Sequence, residues 1–504
     1  MALIPLKIPA GIYRVGTDFE NSGRWHDANL VRWQNGSLRP VGGWQQKCDV
    51  SASITAAPRQ VHTWIDNSAN SNIAIATANE VIYVSSGCTA VDLTPAGFVA
   101  GDEDASTNTA YGGGFYGGNN NGSLYGKKQP STGVFQEADS WSLDNWGEYL
   151  VGCATSDGKL YEWDLVPTNT FAQIANSPEN CKGLIVTAER FIFALQADGS
   201  PRKIAWCDRE DNTTWTATAT NEAGDFELTT NGEIMQAARV RGNTLIVTTT
   251  DAHLATYQGA PFVYGFQRVG SACGTSSRHA VVAVDNGAFW MGKEAFFMFD
   301  GSVARQMPCD VSDYVFDDIN HNQITKVYGV QNSEYGEIWW FYPSSGATEC
   351  DSYVAYDYQE NHWHIGRIDR TCGADQGVFD EPLWTDASGI IYNHELHGVP
   401  HGTSTAYVES APISLGNGDT VMKVNQLIGD EETLGDVKVQ FMTRFHPNDT
   451  QRVYPSATTY YSLTNMPTSV RFTGRQVRIR IEADSSADWR VGTMRINAES
   501  GGRR

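Results

Sequence analysis

Histidines, carboxylates and thiols are the side chains through which this sequence would do chemistry. His362 and His364 alternate in NHWHIG, so on a strand both project from one face, and NHELHGVPH gathers His394, Glu395, His397 and His401. A metal site needs convergent imidazoles with a carboxylate or thiolate, and the second group holds those types. Gly398 and Pro400, however, make that segment a turn and not the helix of an HExxH site, so hydrogen-bonded or surface histidines are expected and no metal. Cys48, Cys88, Cys153, Cys181, Cys207, Cys273, Cys309, Cys350 and Cys372 are spread singly with no CxxC pair, and their number is odd. Reduced, mostly buried thiols are therefore expected, without a disulfide framework or metal cluster. AYGGGFYGGNNNG lacks both the GxxxxGK[ST] pattern and a following helix that a phosphate cradle needs. No GxSxG elbow occurs, and the pairs Asp102/Asp104 and Glu431/Glu432 lie in loops with nothing to shift their titration. The expectation is a protein that is not an enzyme and carries no cofactor.

The elements that would position these side chains are strands. Long amphipathic helices are hard to find, whereas Asp-Gly or Asn-Gly pairs recur at Asn35, Asn121, Asp157, Asp198, Asn231, Asn286, Asp300 and Asn417, each followed by glycine. Such pairs suit two-residue hairpins because both central positions take φ > 0. Between residues 57 and 400 an apolar strand, a turn and a strand ending in an aromatic recur, with ends at Tyr83, Tyr161, Trp206, Tyr257, Phe299, Tyr356 and Tyr392. From Tyr161 onward the spacing averages about 46 residues, close to the ~40 to 50 of a four-stranded propeller blade. The fold class is read as all-β: a β-propeller of about seven blades, six to eight possible, with β-sandwiches in tandem as the other arrangement of the same hairpins. TSDGKLYEW resembles the Asp-box turn of sialidase-like propellers but lacks the residue that the box has between Asp157 and Gly158, so it is read as a structural turn. The first repeat is too long, and its surplus, residues 101–140, is the Gly/Asn/Tyr-rich stretch, read as an inserted loop. Beyond about residue 403, Val437, Val439 and Phe441 alternate, as do Val477, Ile479 and Ile481 with Arg478 and Arg480 between them, the period of half-buried strands. The expected domains are an N-terminal arm, 1–56, the propeller, 57–402, and a C-terminal β-sandwich, 403–504. The tryptophan- and arginine-rich arm is expected to latch onto the propeller or a neighbouring chain.

With 504 residues the chain has ample material for a large core, and 41% hydrophobic with 19% charged residues is the profile of a globular protein. Pro5, Lys7 and Pro9 interrupt any signal-like apolar stretch at the N-terminus, and no run approaches membrane-span length, so synthesis in the cytosol without membrane insertion is expected. Formal charge is −22, and it is unevenly placed. Residues 1–47 hold six Lys/Arg against three acids, and residues 471–504 hold eight arginines against four, leaving −29 on residues 48–470. An acidic body excludes a protein whose whole surface grips nucleic acid. The terminal arginines suit bidentate pairing with carboxylates of a partner, and Arg471, Arg475, Arg478 and Arg480 are the candidates for that interface.

PLKIPAGIYRVGT, RWHDANLVRWQNGSLRPVGGW, WSLDNWGEYLVGC, GKLYEW, AWCDREDNTTW, GRQVRIRI and DWRVGTMRI resemble segments of structural proteins of tailed bacteriophages, over nearly the whole chain. The chain is most similar in kind to the β-propeller tail nozzle, or packaged-DNA stabilisation, proteins of short-tailed phages. That resemblance implies a virion tail protein made in the host cytoplasm, assembled as a ring, in expectation a homohexamer, against a portal adaptor or other tail proteins. Genomic double-stranded DNA would pass the ring's channel without sequence-specific binding, and acidic walls would keep it from sticking. The inserted loop, with Tyr111, Phe115, Tyr116 and Tyr125, is the candidate for a channel constriction or subunit contact. The alternative is a tail-tip propeller that binds or cleaves host-surface polysaccharide, with Trp339, Trp340 or Trp363 stacking sugar rings.

Overall fold

A computed structural model describes the chain except residues 1, 19, 108–134, 415–419, 431–432, 436, 447–448, 464–466, 484–487 and 503–504. Tyr111, Phe115, Tyr116 and Tyr125 therefore lie outside the described residues. Seven four-stranded antiparallel sheets form the larger part, six of them meanders in chain order and the seventh completed by a strand from the N-terminal segment. Their first strands are Gln60–Ile65, Trp141–Trp146, Gly183–Val186, Ile234–Val240, Val281–Val284, Tyr328–Asn332 and Cys372–Ala374, and each packs against the next, the seventh against the first. This closed ring of sheets is a seven-bladed β-propeller. All seven aromatic ends of the sequence repeat fall in third strands, one per blade, from Tyr83 in Val81–Val84 to Tyr392 in Ile390–Leu396. The hairpin code holds at Asn35-Gly36, which joins two paired strands with both residues at φ > 0, whereas at Asn286-Gly287 the two-residue turn is Asp285-Asn286 and Gly287 opens the next strand.

Strand sequences explain their burial. A half-buried strand alternates, as in Gln476–Ala483, where Val477, Ile479 and Ile481 are buried and Arg478 and Arg480 face the other way. A strand covered on both faces has no polar side, and Glu337–Tyr342 and Ser352–Asp357 are buried along their whole length. Trp339, Trp340, Tyr342 and Tyr353 there are fully buried and form, with Trp363 and Trp384, the aromatic centre of the core.

The N-terminal segment is not a separate arm, because three of its strands are spent on three sheets of the rest of the chain, while Val31–Gln34 and Ser37–Pro40 pair with each other. Gly43–Asp49 pairs with Ile390–Leu396 and is the outer strand of the seventh blade, so the start of the chain closes the ring. Ala2–Leu6 pairs with Met494–Ser500 in a four-stranded sheet, and Trp25–Asn29 pairs with Tyr407–Ser410 in a second, larger sheet. These two sheets pack through Phe441 against Phe472, ring centroids 4.6 Å apart, so the sandwich is built from both ends of the chain. It leans on the sixth blade, where Ile12 N–H donates to Trp363 O at 2.7 Å and Leu30 N–H to the Tyr353 hydroxyl at 3.0 Å. One further expectation is corrected. Cys48 and Cys88 are joined as a disulfide, a pairing that their separation of 40 residues did not suggest, while the other seven cysteines are free.

Candidate functional site at the strapped channel mouth

The first strands line the propeller axis, and three of them carry polar side chains that bridge to the next blades. Gln60 of the first blade accepts from Leu143 N–H at 2.9 Å and donates to Leu143 O at 3.4 Å, clipping itself to the second blade. Gln236 of the fourth blade does the same to Val281 of the fifth, at 2.8 and 3.1 Å. A primary amide offers one acceptor beside one donor, so it copies a ladder contact between blades that share no edge. Asp144 of the second blade accepts from Val186 N–H of the third and from Arg239 of the fourth, both at 2.8 Å, and Arg239 also donates to Val186 O. These bridges leave a cavity of about 280 Å³ on the axis.

At one mouth, a basic side chain stands just ahead of three first strands: Arg59, Arg278 and Lys326, all buried. The described ends of the insert bring acids to them. Lys326 Nζ donates to Asp104 at 2.6 Å and to Glu349 at 2.7 Å, Arg278 lies 3.3 Å from Glu137, and Arg59 donates to Glu103 O at 3.0 Å and to Glu349 at 2.8 Å. Gln323 clips Ala105 through its N–H and its carbonyl, at 3.0 and 3.1 Å, and Ser106–Thr107 pairs with Phe135–Gln136. The insert leaves the first blade yet touches groups leading into the fifth and sixth, so its base is a strap across the mouth. Burial alone would raise the Glu349 carboxyl, but Arg59 and Lys326 beside it hold it below the usual range. Burial, with Arg278 and Arg59 nearby, pushes His279 down to about 4, so this imidazole is neutral at pH 7.

The metal candidates are dispersed. His394 accepts from Arg370 Nε at 2.9 Å, His401 bonds Val41 O at 2.7 Å, and exposed His397 lies 3.5 Å from Asp488. Glu395 instead pairs with Arg32, which also binds Glu337, at 2.6 and 2.9 Å, all three buried. Among the described residues no group of three or more His, Cys, Asp or Glu is placed to hold a metal ion. Of the candidate interface arginines, Arg478 pairs with Asp18 at 2.7 Å and Glu409 at 3.4 Å, and Arg480 with Glu482 at 3.0 Å while lying over the Tyr407 ring. They do meet carboxylates, but inside the chain. Arg471 is exposed and Arg475 half-buried. Trp339, Trp340 and Trp363 are in the core, at most 2% exposed, and offer no face to a sugar. The strap and its basic seats were not anticipated. The only sequence signal was a lone Arg or Lys before each of three strands.

Fold and site together define a seven-bladed β-propeller with an accompanying two-sheet domain and a strapped axial channel. No family model matches the chain, and no curated protein matches it. Among solved structures it is similar to virginiamycin B lyase from Staphylococcus aureus, at 7% identity and a TM-score of 0.41 over 70% of this chain and 99% of that one. It is also similar to the WD40 β-propeller domain of Doa1, at 9% identity and a TM-score of 0.38 over 70% and 94%. A third is PorZ of the Porphyromonas gingivalis type-IX secretion system, at 6% identity and a TM-score of 0.36 over 76% and 44%. At these values the likenesses lend this chain no chemistry.

Proposed function

We propose that the chain is a structural subunit of a phage tail, assembling with copies of itself as a ring through which packaged DNA is retained and later released. The observation that carries this reading is where the charge lies. Among the described residues, five basic side chains and six acidic ones are buried, so their core carries a charge of only −1 beside the −22 of the whole chain. A duplex beside a surface on which acids outnumber cations meets net repulsion and stays weakly coupled. The propeller's own axis, bridged from blade to blade and strapped at one mouth, is no passage for a duplex; DNA would run between copies. The sugar-cleaving alternative loses its three tryptophans to the core and gains no other support.

Electron microscopy of the purified protein, alone and with the other tail proteins of its particle, tests this reading. Rings, and the chain present in purified virions, are expected, with no retention of double-stranded DNA in a low-salt gel-shift assay. A strictly monomeric chain absent from virions, or one that cleaves host polysaccharide, would overturn it.

A further inference from the structure

Closure of the propeller rests on one strand, Gly43–Asp49, and that strand carries Cys48. Cys88 lies in the turn between the third and fourth strands of the first blade, and the two Cα atoms are 5.3 Å apart. We propose that Cys48 and Cys88 are the chain's one redox modification site, a staple installed by a low-molecular-weight disulfide that locks the closing strand to the neighbouring blade. The inference stands apart from the ring reading.

Three observations carry it. The bond joins two blades at the seam of the ring: Cys48 sits opposite Ile391 in the seventh blade, so the crosslink holds the outer strand of that blade to the first. The turn is also shaped for it. Cys88 has φ +62°, a left-handed conformation that a non-glycine residue adopts at a cost, and it places the sulfur 3.2 Å from Lys47 O, beside Cys48. Finally, the remaining thiols are inert. Six of the seven are buried and Cys309 is half-buried. Burial pushes Cys273 up to about 11 and Cys181, Cys207, Cys309 and Cys372 up to about 12, which leaves almost no thiolate at neutral pH.

The order of reaction follows from access. Cys88 is half-buried, whereas Cys48 is 2% exposed. The Cys88 thiolate therefore attacks one sulfur of oxidised glutathione, forming a mixed disulfide and releasing one glutathione thiolate. Cys48 then gives its proton to solvent, attacks the Cys88 sulfur and expels the second glutathione thiolate. Two protein thiols are oxidised, and one glutathione disulfide is reduced to two thiols.

The test treats the full chain, purified under reducing conditions, with oxidised glutathione, then alkylates it and maps it by mass spectrometry without reduction. The wild type is expected to form a single bridge, Cys48 to Cys88, with seven alkylated cysteines after unfolding, and to melt roughly 4 °C above its reduced form. Cys48→Ser is expected to trap glutathione on Cys88, and Cys88→Ser to take none on Cys48. Nine free thiols in the treated wild type, or a bridge to any other cysteine, would overturn the staple; an adduct on Cys48 in Cys88→Ser would overturn the order of attack. The wild-type arm decides the main point even if a variant folds poorly.

Discussion

Arg32 is the residue on which the most buried charge depends. Its guanidinium spans Glu337 and Glu395, Asn332 Nδ2 donates to Glu395 at 2.8 Å, Trp339 Nε1 to Glu337 at 2.9 Å, and Tyr335 covers the guanidinium face at 3.7 Å. Removing one partner of such a set leaves a charge uncompensated away from water, which costs about 3 to 5 kcal/mol. Arg32→Ala is expected to lose that much in denaturant unfolding, and Glu395→Gln added to it should restore part of the loss. Burial would raise Glu337, but Arg32 outweighs it and holds the carboxyl at about 2. The stability Glu337 contributes is thus present above its ordinary range and lost only as pH falls through about 2. His279 has the opposite origin and the same acid sign. Held neutral down to about 4, it contributes stability fully present above 6.5 and lost progressively toward pH 4. His362, pushed to about 4 chiefly by burial, behaves likewise. Thermal midpoints should fall between pH 6.5 and 4, and His279→Phe, which keeps a ring against Tyr328, should fall less steeply.

At the scale of elements, two devices shape the molecule. Gly42 and Gly43 lead into the closing strand, and a Cβ on either would sit 2.4 Å from Glu395 Cα or 2.0 Å from Val399 O; only glycine lets the strand reach the seventh blade there. The strap is the second device. Its contacts are polar and few, and Asp104 is more than half exposed although Lys326 is wholly buried, so the strap should open locally without global unfolding. Gln323→Ala removes both clips on Ala105, each worth about 1 kcal/mol. Faster amide exchange over residues 102–107 is expected, with the global unfolding midpoint little changed. An unchanged exchange pattern would show that the acid–base seats alone hold the strap.

The whole molecule is knotted together by its N-terminus in an energetic sense, because three early strands complete three different sheets. A chain beginning at residue 50 would leave the seventh blade with an open edge and strip Ala2–Leu6 and Trp25–Asn29 from the sandwich. Such a truncation is expected to lose cooperative unfolding and to aggregate, read by calorimetry and size-exclusion chromatography. A truncated chain that folds and melts as one unit would show that closure by this strand is dispensable.

Blade identity and phase were legible in the sequence, since an aromatic in each third strand is set by the strand's own neighbours in the repeat. The half-buried strands were equally legible: Val477, Ile479 and Ile481 announce one apolar face by themselves. The fate of Glu395, Arg478 and Cys48 was not. Each needed a partner that closure of the ring or assembly of the sandwich brings near, Arg32 363 residues from Glu395, Asp18 460 from Arg478, and Cys88 40 from Cys48. The sequence by itself determined how the strands form and turn, because that depends on neighbours a few residues apart. The tertiary structure alone decided which charges are spent inside, which end closes the ring and which thiols meet, because those depend on distances that exist only once the sheets have closed.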